Sequence, residues 1–393
     1  MVKVRVFSLK PITPLLFRSF KPFEIGGHAE SLNFPSPGTL AGMIRSVVWE
    51  SQGKNFDPQS LANERDFTGV LESQGIYYST YKFKWRLLGP YLYKVSGSDK
   101  GVYYPTPLDI FIIEDQNEIM MPDRQSMNEL EKLFESPGAP MFRIDQSALK
   151  KIMEGKIKRS MGSFIHMDDL KMIINMGYNG NSMRDVRIYR PNDIFDVVEE
   201  SHVAIDHERK TVRIDERGKG HYFTVRRLIL KDDWIFLFGI IPLDKKIDPL
   251  FDHLDGKMAR FGGEGSYVLI KEEDIRLIEH DYLGRLNDPV PSQLRLILVS
   301  SAVFLDNNGL DSPYPQIPST NELRYFSIKS TLIGGWDYAR NMPKPLHRGI
   351  DMSSVYCYEL KAQKLTYGDL VIEREHIPDE FKGAYGSVLI GVW

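Results

Sequence analysis

The sequence holds a single cysteine, Cys357, among its 393 residues. One thiol excludes an internal disulfide and any multi-cysteine zinc site. Long apolar runs are also missing. None approaches the roughly 18 residues a membrane span needs, and the stretch around Trp234 to Pro242 is too short. The opening residues, MVKVRVFSLKP, alternate apolar with polar side chains and lack the apolar core of a signal peptide. A soluble cytoplasmic protein without a membrane partner is therefore expected. Basic charge is not in surplus either: 50 Lys and Arg stand against 53 Asp and Glu, for a net charge of −3. A chain that binds long nucleic acid by itself is usually more basic. Any RNA contact is thus expected to be local or shared with partners.

Catalytic and cofactor signatures are scarce as well. The nine histidines form no HExxH pattern. His202 and His207 stand near Glu199, Glu200, Asp206 and Glu208, but a solvated charged hairpin accounts for them better than a metal site. Phe261-Gly262-Gly263-Glu264-Gly265 matches neither a dinucleotide fingerprint nor a Walker A loop, which would end in Gly-Lys-Ser/Thr. No metal and no cofactor is expected. His28, after Gly26-Gly27, could act as a general base on an RNA 2′-hydroxyl, though no partner accompanies it in sequence.

What is present reads as α+β. Val2, Val4 and Val6 alternate with Lys3 and Arg5, as in a half-buried strand. Ser36 is a good N-cap with Pro37 at the first helical position. Leu40, Met43, Ile44, Val47 and Val48 then make one helical face, with Arg45 off that stripe. Residues 51 to 200 are irregular, and we expect a long insertion there. It would carry strands over Gly75–Trp85 and Tyr91–Tyr104, short helices over Asn128–Phe134 and Gln146–Met153, and a basic cluster of Lys150, Lys151, Lys156, Lys158 and Arg159. Strands are expected over His202–Asp206, Thr211–Asp215, His221–Leu230, Ile235–Ile241, Tyr267–Lys271, Leu294–Phe304, Tyr325–Ile333, Ser354–Leu360 and Ser387–Val392. A helix from Pro249, with Leu250, Phe251, Leu254 and Met258 buried, is expected to run into the first glycine loop. A second short helix, Pro378 to Phe381, leads into Gly383-Ala384-Tyr385-Gly386. Helix, glycine loop and strand thus recur, each time at the end of a run compatible with βαββαβ. This predicts tandem ferredoxin-like (RRM-like) domains: residues 1–288, with the insertion at about 51–200, and 289–393.

Four segments could meet a nucleotide chain. Gly262, Gly263 and Gly265 permit close backbone approach to phosphate, and Arg260 precedes them, although a plain tight turn explains the glycines too. Ser36, Gly38 and Thr39 make a small polar helix start that favours an anion, with Arg18 and Arg45 nearby; ordinary capping is the alternative. In GGWDYARNMPKPLHR, Trp336 and Tyr338 could stack bases while Lys344, His347 and Arg348 meet phosphates. Trp336 could equally be core or a subunit contact. The basic cluster from Lys150 to Arg159 is either solvated surface or an RNA-facing finger.

Several segments together resemble one family. They are FRSFKPF (Phe17–Phe23), FPSPGTLAGMIRS (Phe34–Ser46), HVAIDHERKTVRIDERGKGHYF (His202–Phe223), FGGEG (Phe261–Gly265), GGWDYARNMPKPLHRGIDMSSVYCYEL (Gly334–Leu360) and the final GSVLIGVW. Their order is similar to that of the third subunit of Cmr complexes, the type III-B CRISPR effectors built from RAMP-superfamily proteins. The resemblance implies tandem ferredoxin-like RAMP domains and binding of the repeat-derived 5′ tag of CRISPR RNA. It implies contacts with the large polymerase-like Cmr subunit and with the RAMP backbone subunit. It implies no active site here, since target cleavage belongs to the backbone subunit and cyclic-oligonucleotide synthesis to the large one. A RAMP-type, metal-independent endoribonuclease that processes precursor RNA, with His28 as base, is the alternative.

Overall fold

The computed structural model describes residues 3–18, 28–51, 84–113, 118–121, 157–177, 182–203, 205–206, 211–212, 222–263, 265–317, 322–337, 342–361, 365–378 and 381–393. The expected helices Asn128–Phe134 and Gln146–Met153, most of the strand Gly75–Trp85, Lys150, Lys151, Lys156 and Tyr338 lie outside the described residues.

The chain begins with strand β1 (Arg5–Pro11) and helix α1 (Pro37–Ser51), then β2 (Trp85–Lys94), β3 (Gly101–Pro105) and β4 (Phe164–His166). Helix α2 (Met167–Met176), β5 (Ile188–Tyr189), β6 (Phe195–Val203), β7 (Tyr222–Leu230) and β8 (Trp234–Pro242) follow. After a 3₁₀ turn over Asp248–Leu254 come β9 (Met258–Arg260), β10 (Tyr267–Glu273) and the short helix α3 (Glu279–Leu283). The remaining strands used below are β11 (Gln293–Leu298), β12 (Glu322–Ser327), β13 (Val355–Glu359) and β14 (Val388–Val392).

The principal sheet has eight antiparallel strands in the order β5-β4-β3-β2-β8-β1-β10-β9. Four of them, β2 to β5, come from the 51–200 stretch and pair in line with β8. A second sheet, β12-β13-β11-β14, is also antiparallel throughout. Within each, one strand order recurs: second, third, first, fourth. In the first it is β2-β8-β1-β10, and in the second β12-β13-β11-β14. β6 and β7 form a long hairpin whose β7 also takes the strand His28–Glu30 in parallel.

Side-chain alternation explains the layers. Phe7 and Leu9 of β1 face α1 and share a core with Leu40, Ile44, Val48, Phe236 and Phe238. Val4 and Val6 point the other way, into a core shared with β11, β13 and β14. The stripe Leu40, Met43, Ile44, Val47 and Val48 is buried as its spacing predicts.

The two sheets also share a helix. α2 packs on β14, where a side chain at Gly391 would come within 2.9 Å of the Ile174 carbonyl oxygen. Asp109 and Arg295 meet in a fully buried ion pair, with nitrogen–oxygen distances of 2.7 and 3.0 Å.

Several expected elements need correction. The helix from Pro249 is a 3₁₀ turn that stops at Leu254, because Gly256 adopts φ +70° just beyond. Met258 is therefore not on a buried stripe but on a strand, 61% exposed. The glycine loop consequently joins strand to strand. Residues 379–380 of the expected helix Pro378–Phe381 lie outside the described residues; the Phe381 N–H donates to Pro378 O at 2.9 Å, and a helical stretch lies earlier, at Asp369–Glu373. Tyr91–Tyr104 is two strands around a turn in which Gly97 takes φ +92°. The strand expected to reach Phe304 ends at Leu298, and Tyr325–Ile333 is broken after Ser327.

Candidate nucleic-acid interface

The first glycine turn connects β9 to β10 and is clamped onto the segment after β1. Gly262 takes φ +98°, and a Cβ there would lie 2.4 Å from the Leu16 carbonyl oxygen. The Gly263 N–H donates to that same oxygen at 2.8 Å. Buried Ser266 ties the turn further: its hydroxyl accepts from the Leu16 N–H at 3.0 Å and donates to Gly263 O at 2.9 Å. This clamp brings Arg18 beside Gly263, with Cγ and Nε each 3.7 Å from where a Cβ would stand. Arg260 is exposed at the end of β9, its Nε donating to Tyr267 Oη at 3.2 Å. Gly265, at φ +77°, faces open space. Arg18, Arg260, Gly262, Gly263 and Gly265 thus form one group.

The start of α1 forms a second group. Ser36 Oγ accepts from the Thr39 N–H at 3.1 Å and meets Thr39 Oγ1 at 3.0 Å. The Tyr385 hydroxyl, from the second glycine turn, covers the same helix end. It touches Ser36 and the Gly38 backbone, and a Cβ on Gly38 would lie 2.4 Å from it. Burial raises the Tyr385 phenol above its usual range, while Ser36, Arg45 and the Gly38 N–H oppose that shift. Some of the helix-end donors read as open to an anion are therefore engaged by Ser36 and Tyr385. Sequence reasoning missed Tyr385, though it stands in the quoted GAYG turn.

Two aromatic chains join the groups. Phe17, Phe261 and Phe34 all pack around Phe236, at centroid distances of 6.1, 6.2 and 5.6 Å. They link the first turn to the residues just before α1. On the other side Tyr385 meets Phe381 at 5.7 Å, and Phe381 meets His347 at 5.1 Å. His347 bonds Asp311 at 2.9 Å, and Asp311 also accepts from the Arg348 N–H at 2.6 Å. Burial pushes the Asp311 carboxyl up, but these two donors together hold it below its usual range. Lys344 and Arg348 are exposed on this arm, and Trp336 lies in a short pair opposite Pro343.

A buried guanidinium shapes the second turn. Arg374 is 1% exposed and donates to Lys382 O at 3.0 Å, Tyr385 O at 2.5 Å, Ser387 Oγ at 3.0 Å and Leu87 O. Burial, aided by the Arg86 charge, lowers its pKa to about 9. Nothing in its local sequence, IEREHIP, marks it for this role. Lys158 and Arg159 lie on a three-residue strand, Ile157–Arg159. His28 lies in the strand paired with β7, opposite Thr224. Among the described residues no cluster of three or more His, Cys, Asp or Glu is placed to hold a metal, and no helix is long and apolar enough to cross a membrane.

The family model described as CRISPR-associated protein (Cas_Cmr3) matches residues 7–393. The chain belongs to the Cmr3 family. A curated relative, CRISPR system CMR subunit Cmr3 of Saccharolobus solfataricus, is 23% identical over 287 residues, 70% of this chain. The match spans 66% of that relative's length, just under two thirds. Among solved structures, this Cmr3-family chain is similar to one in a type III-B Cmr-beta complex bound to cognate target RNA and AMPPnP. The TM-score is 0.45 and the identity 18%, with 90% of this chain and 86% of that chain covered. It is similar also to a chain of a Csm3–Csm4 subcomplex of a type III-A system. There the TM-score is 0.38 and the identity 14%, with 99% of each chain covered. Within this Cmr3-family chain, the glycine turn, the α1 start and His347 all stand along the Phe236 and Tyr385 aromatic chains.

Proposed function

We propose that this chain is a non-catalytic subunit of a type III-B CRISPR effector complex. It would hold the 5′ tag of the crRNA and bridge the large polymerase-like subunit to the RAMP backbone. Family membership supports the complex. The observation that carries the RNA assignment is the clamp of Gly262 and Gly263 onto Leu16, which sets Arg18 beside the exposed backbone turn that follows Arg260. Phosphates would be held at that turn by the two guanidinium groups, since the Gly263 N–H is already given to Leu16 O. Ser36, Gly38, Thr39 and Arg45 would contribute from the neighbouring helix start, and Trp336, Lys344 and Arg348 from the arm. Splayed, stacked bases rather than a groove would give specificity for a single-stranded tag. The shared second-third-first-fourth strand order supports tandem ferredoxin-like RAMP units, 1–288 and 289–393.

The test uses the assembled complex with crRNA. Crosslinking should place tag nucleotides on residues 16–18 and 260–265. Arg18→Ala with Arg260→Ala should flatten the salt dependence of RNA retention by about 1.4 in log–log slope, two phosphates at about 0.7 each. A tag that crosslinks only to other subunits, with unchanged retention in the double variant, would overturn the assignment.

A further inference from the structure

Beyond Val6 and Ser8, whose side chains are buried, the edge of the principal sheet has one face in the core and the other in solvent. Leu9, Val268, Ile270 and Ala259 point inward and are at most 7% exposed. Their outward neighbours should be uniformly polar in such an antiparallel sheet. They are not. Ile12 is 53% exposed, Leu269 40% and Met258 61%. The pairing collects them into rows. Lys10 and Met258 flank Leu269 on either side, Arg260 stands opposite Tyr267, and Ser8 stands opposite Lys271. Ile12 extends the Tyr267 row, its N–H donating to Tyr267 O at 2.9 Å.

We infer that this open face of β1, β10 and β9 is a second track for single-stranded RNA, continuous with the glycine turn. The inference rests on the tag-binding reading, because β9 and β10 are the two arms of the hairpin whose tip is that turn. Charge favours a polyanion here. Among the described residues, Lys10, Arg260 and Lys271 face outward against one acid, Glu273, which lies 3.5 Å from Lys271 and 2.9 Å from the Ser8 hydroxyl. A local excess of cations in a chain of net charge −3 marks a specific electrostatic site. Chemistry favours bases. Tyr267 offers an aromatic ring held by Arg260, and Leu269 and Met258 offer an apolar floor beside it. An aromatic ring, apolar neighbours and flanking cations on an open sheet are what sequence-tolerant recognition of single strands needs. Alternate residues of a strand stand about 7 Å apart, so the three rows make a track about 14 Å long.

The test again uses the assembled complex with crRNA, irradiated and mapped for protein–RNA adducts, and compares RNA release among variants. We expect an RNA adduct at Tyr267. Tyr267→Ala should speed release roughly tenfold, from the loss of one stacked base, while Tyr267→Phe should retain the wild-type rate. Lys10→Ala with Lys271→Ala should also speed release and flatten its salt dependence. Adducts at Arg18 and Gly263 with none at Tyr267, and release unchanged in all these variants, overturn the track and leave the tag reading standing. Adducts at neither place overturn both. Protection of Met258 and Leu269 from hydrogen exchange in complex lacking RNA, without an RNA adduct, overturns the track in favour of a protein contact.

Discussion

A side chain at position 262 would strike the Leu16 carbonyl oxygen, whereas one at position 265 would meet nothing. Both glycines have positive φ, so both carry the backbone cost of replacement, about 1 kcal/mol or more. Only Gly262 adds a collision with backbone, which has no rotamer to escape into. Gly262→Ala should therefore destabilise the protein by roughly 2–4 kcal/mol and Gly265→Ala by about 1 kcal/mol. Denaturant midpoints of the two variants check the ranking. A Gly262→Ala protein as stable as Gly265→Ala would mean that the clamp on Leu16 is loose, and the placement of Arg18 with it.

Among the elements, the second glycine turn is the one most dependent on buried polar groups. His376 is 2% exposed and its Nε2 bonds Gly386 O at 2.9 Å. Burial, with the Arg374 and Lys382 charges, lowers its pKa from 6.5 to about 3. Between those values the unfolded chain binds the proton and the folded one does not. This contribution is thus whole above pH 6.5 and is lost as pH falls toward 3, at up to about 1.4 kcal/mol per pH unit. His166 and His280 are shifted downward too, chiefly by burial, so the measurement is a comparison. Stability between pH 7 and pH 5 should fall more steeply in the wild type than in His376→Gln. Equal slopes would rule out a neutral, buried His376.

What the sequence revealed of the elements follows from the range of the forces involved. The face of α1 was legible because five apolar residues at helical spacing leave one way to bury them, and Ser36-Pro37 marks its start. Strands β1, β7, β8, β10, β11, β13 and β14 were legible in the sequence, whereas β4, β5, β6 and β9 were not. The Pro249 helix was misjudged because Leu250, Phe251, Leu254 and Met258 keep helical spacing across a break that Gly256 imposes. Of the site, the glycines and Arg18 were legible as types. Their clamp to Leu16 was not, since a contact between positions 16 and 263 leaves no local pattern. Tyr385, Phe381 and Arg374 were missed for the same reason.

At the scale of the molecule, the buried pair of Asp109 and Arg295 ties a loop after β3 to the first strand of the second sheet. Each charge is tolerable only while the other is present. Asp109→Ala or Arg295→Ala alone should cost roughly 3–5 kcal/mol, and Asp109→Leu with Arg295→Met should recover much of the loss. Urea unfolding of the three variants measures this. If the double replacement is as unstable as the sum of the singles, the pair is not what couples these segments.

The seat of α2 on β14 carries a consequence for biosynthesis. Leu170, Ile173 and Ile174 leave the ribosome about 200 residues before the strand that covers them. At about 5–20 residues per second, that interval is roughly 10–40 seconds. For that time the face of α2 that meets β14 waits uncovered, so nascent-chain holdases have a defined window and a defined place to act.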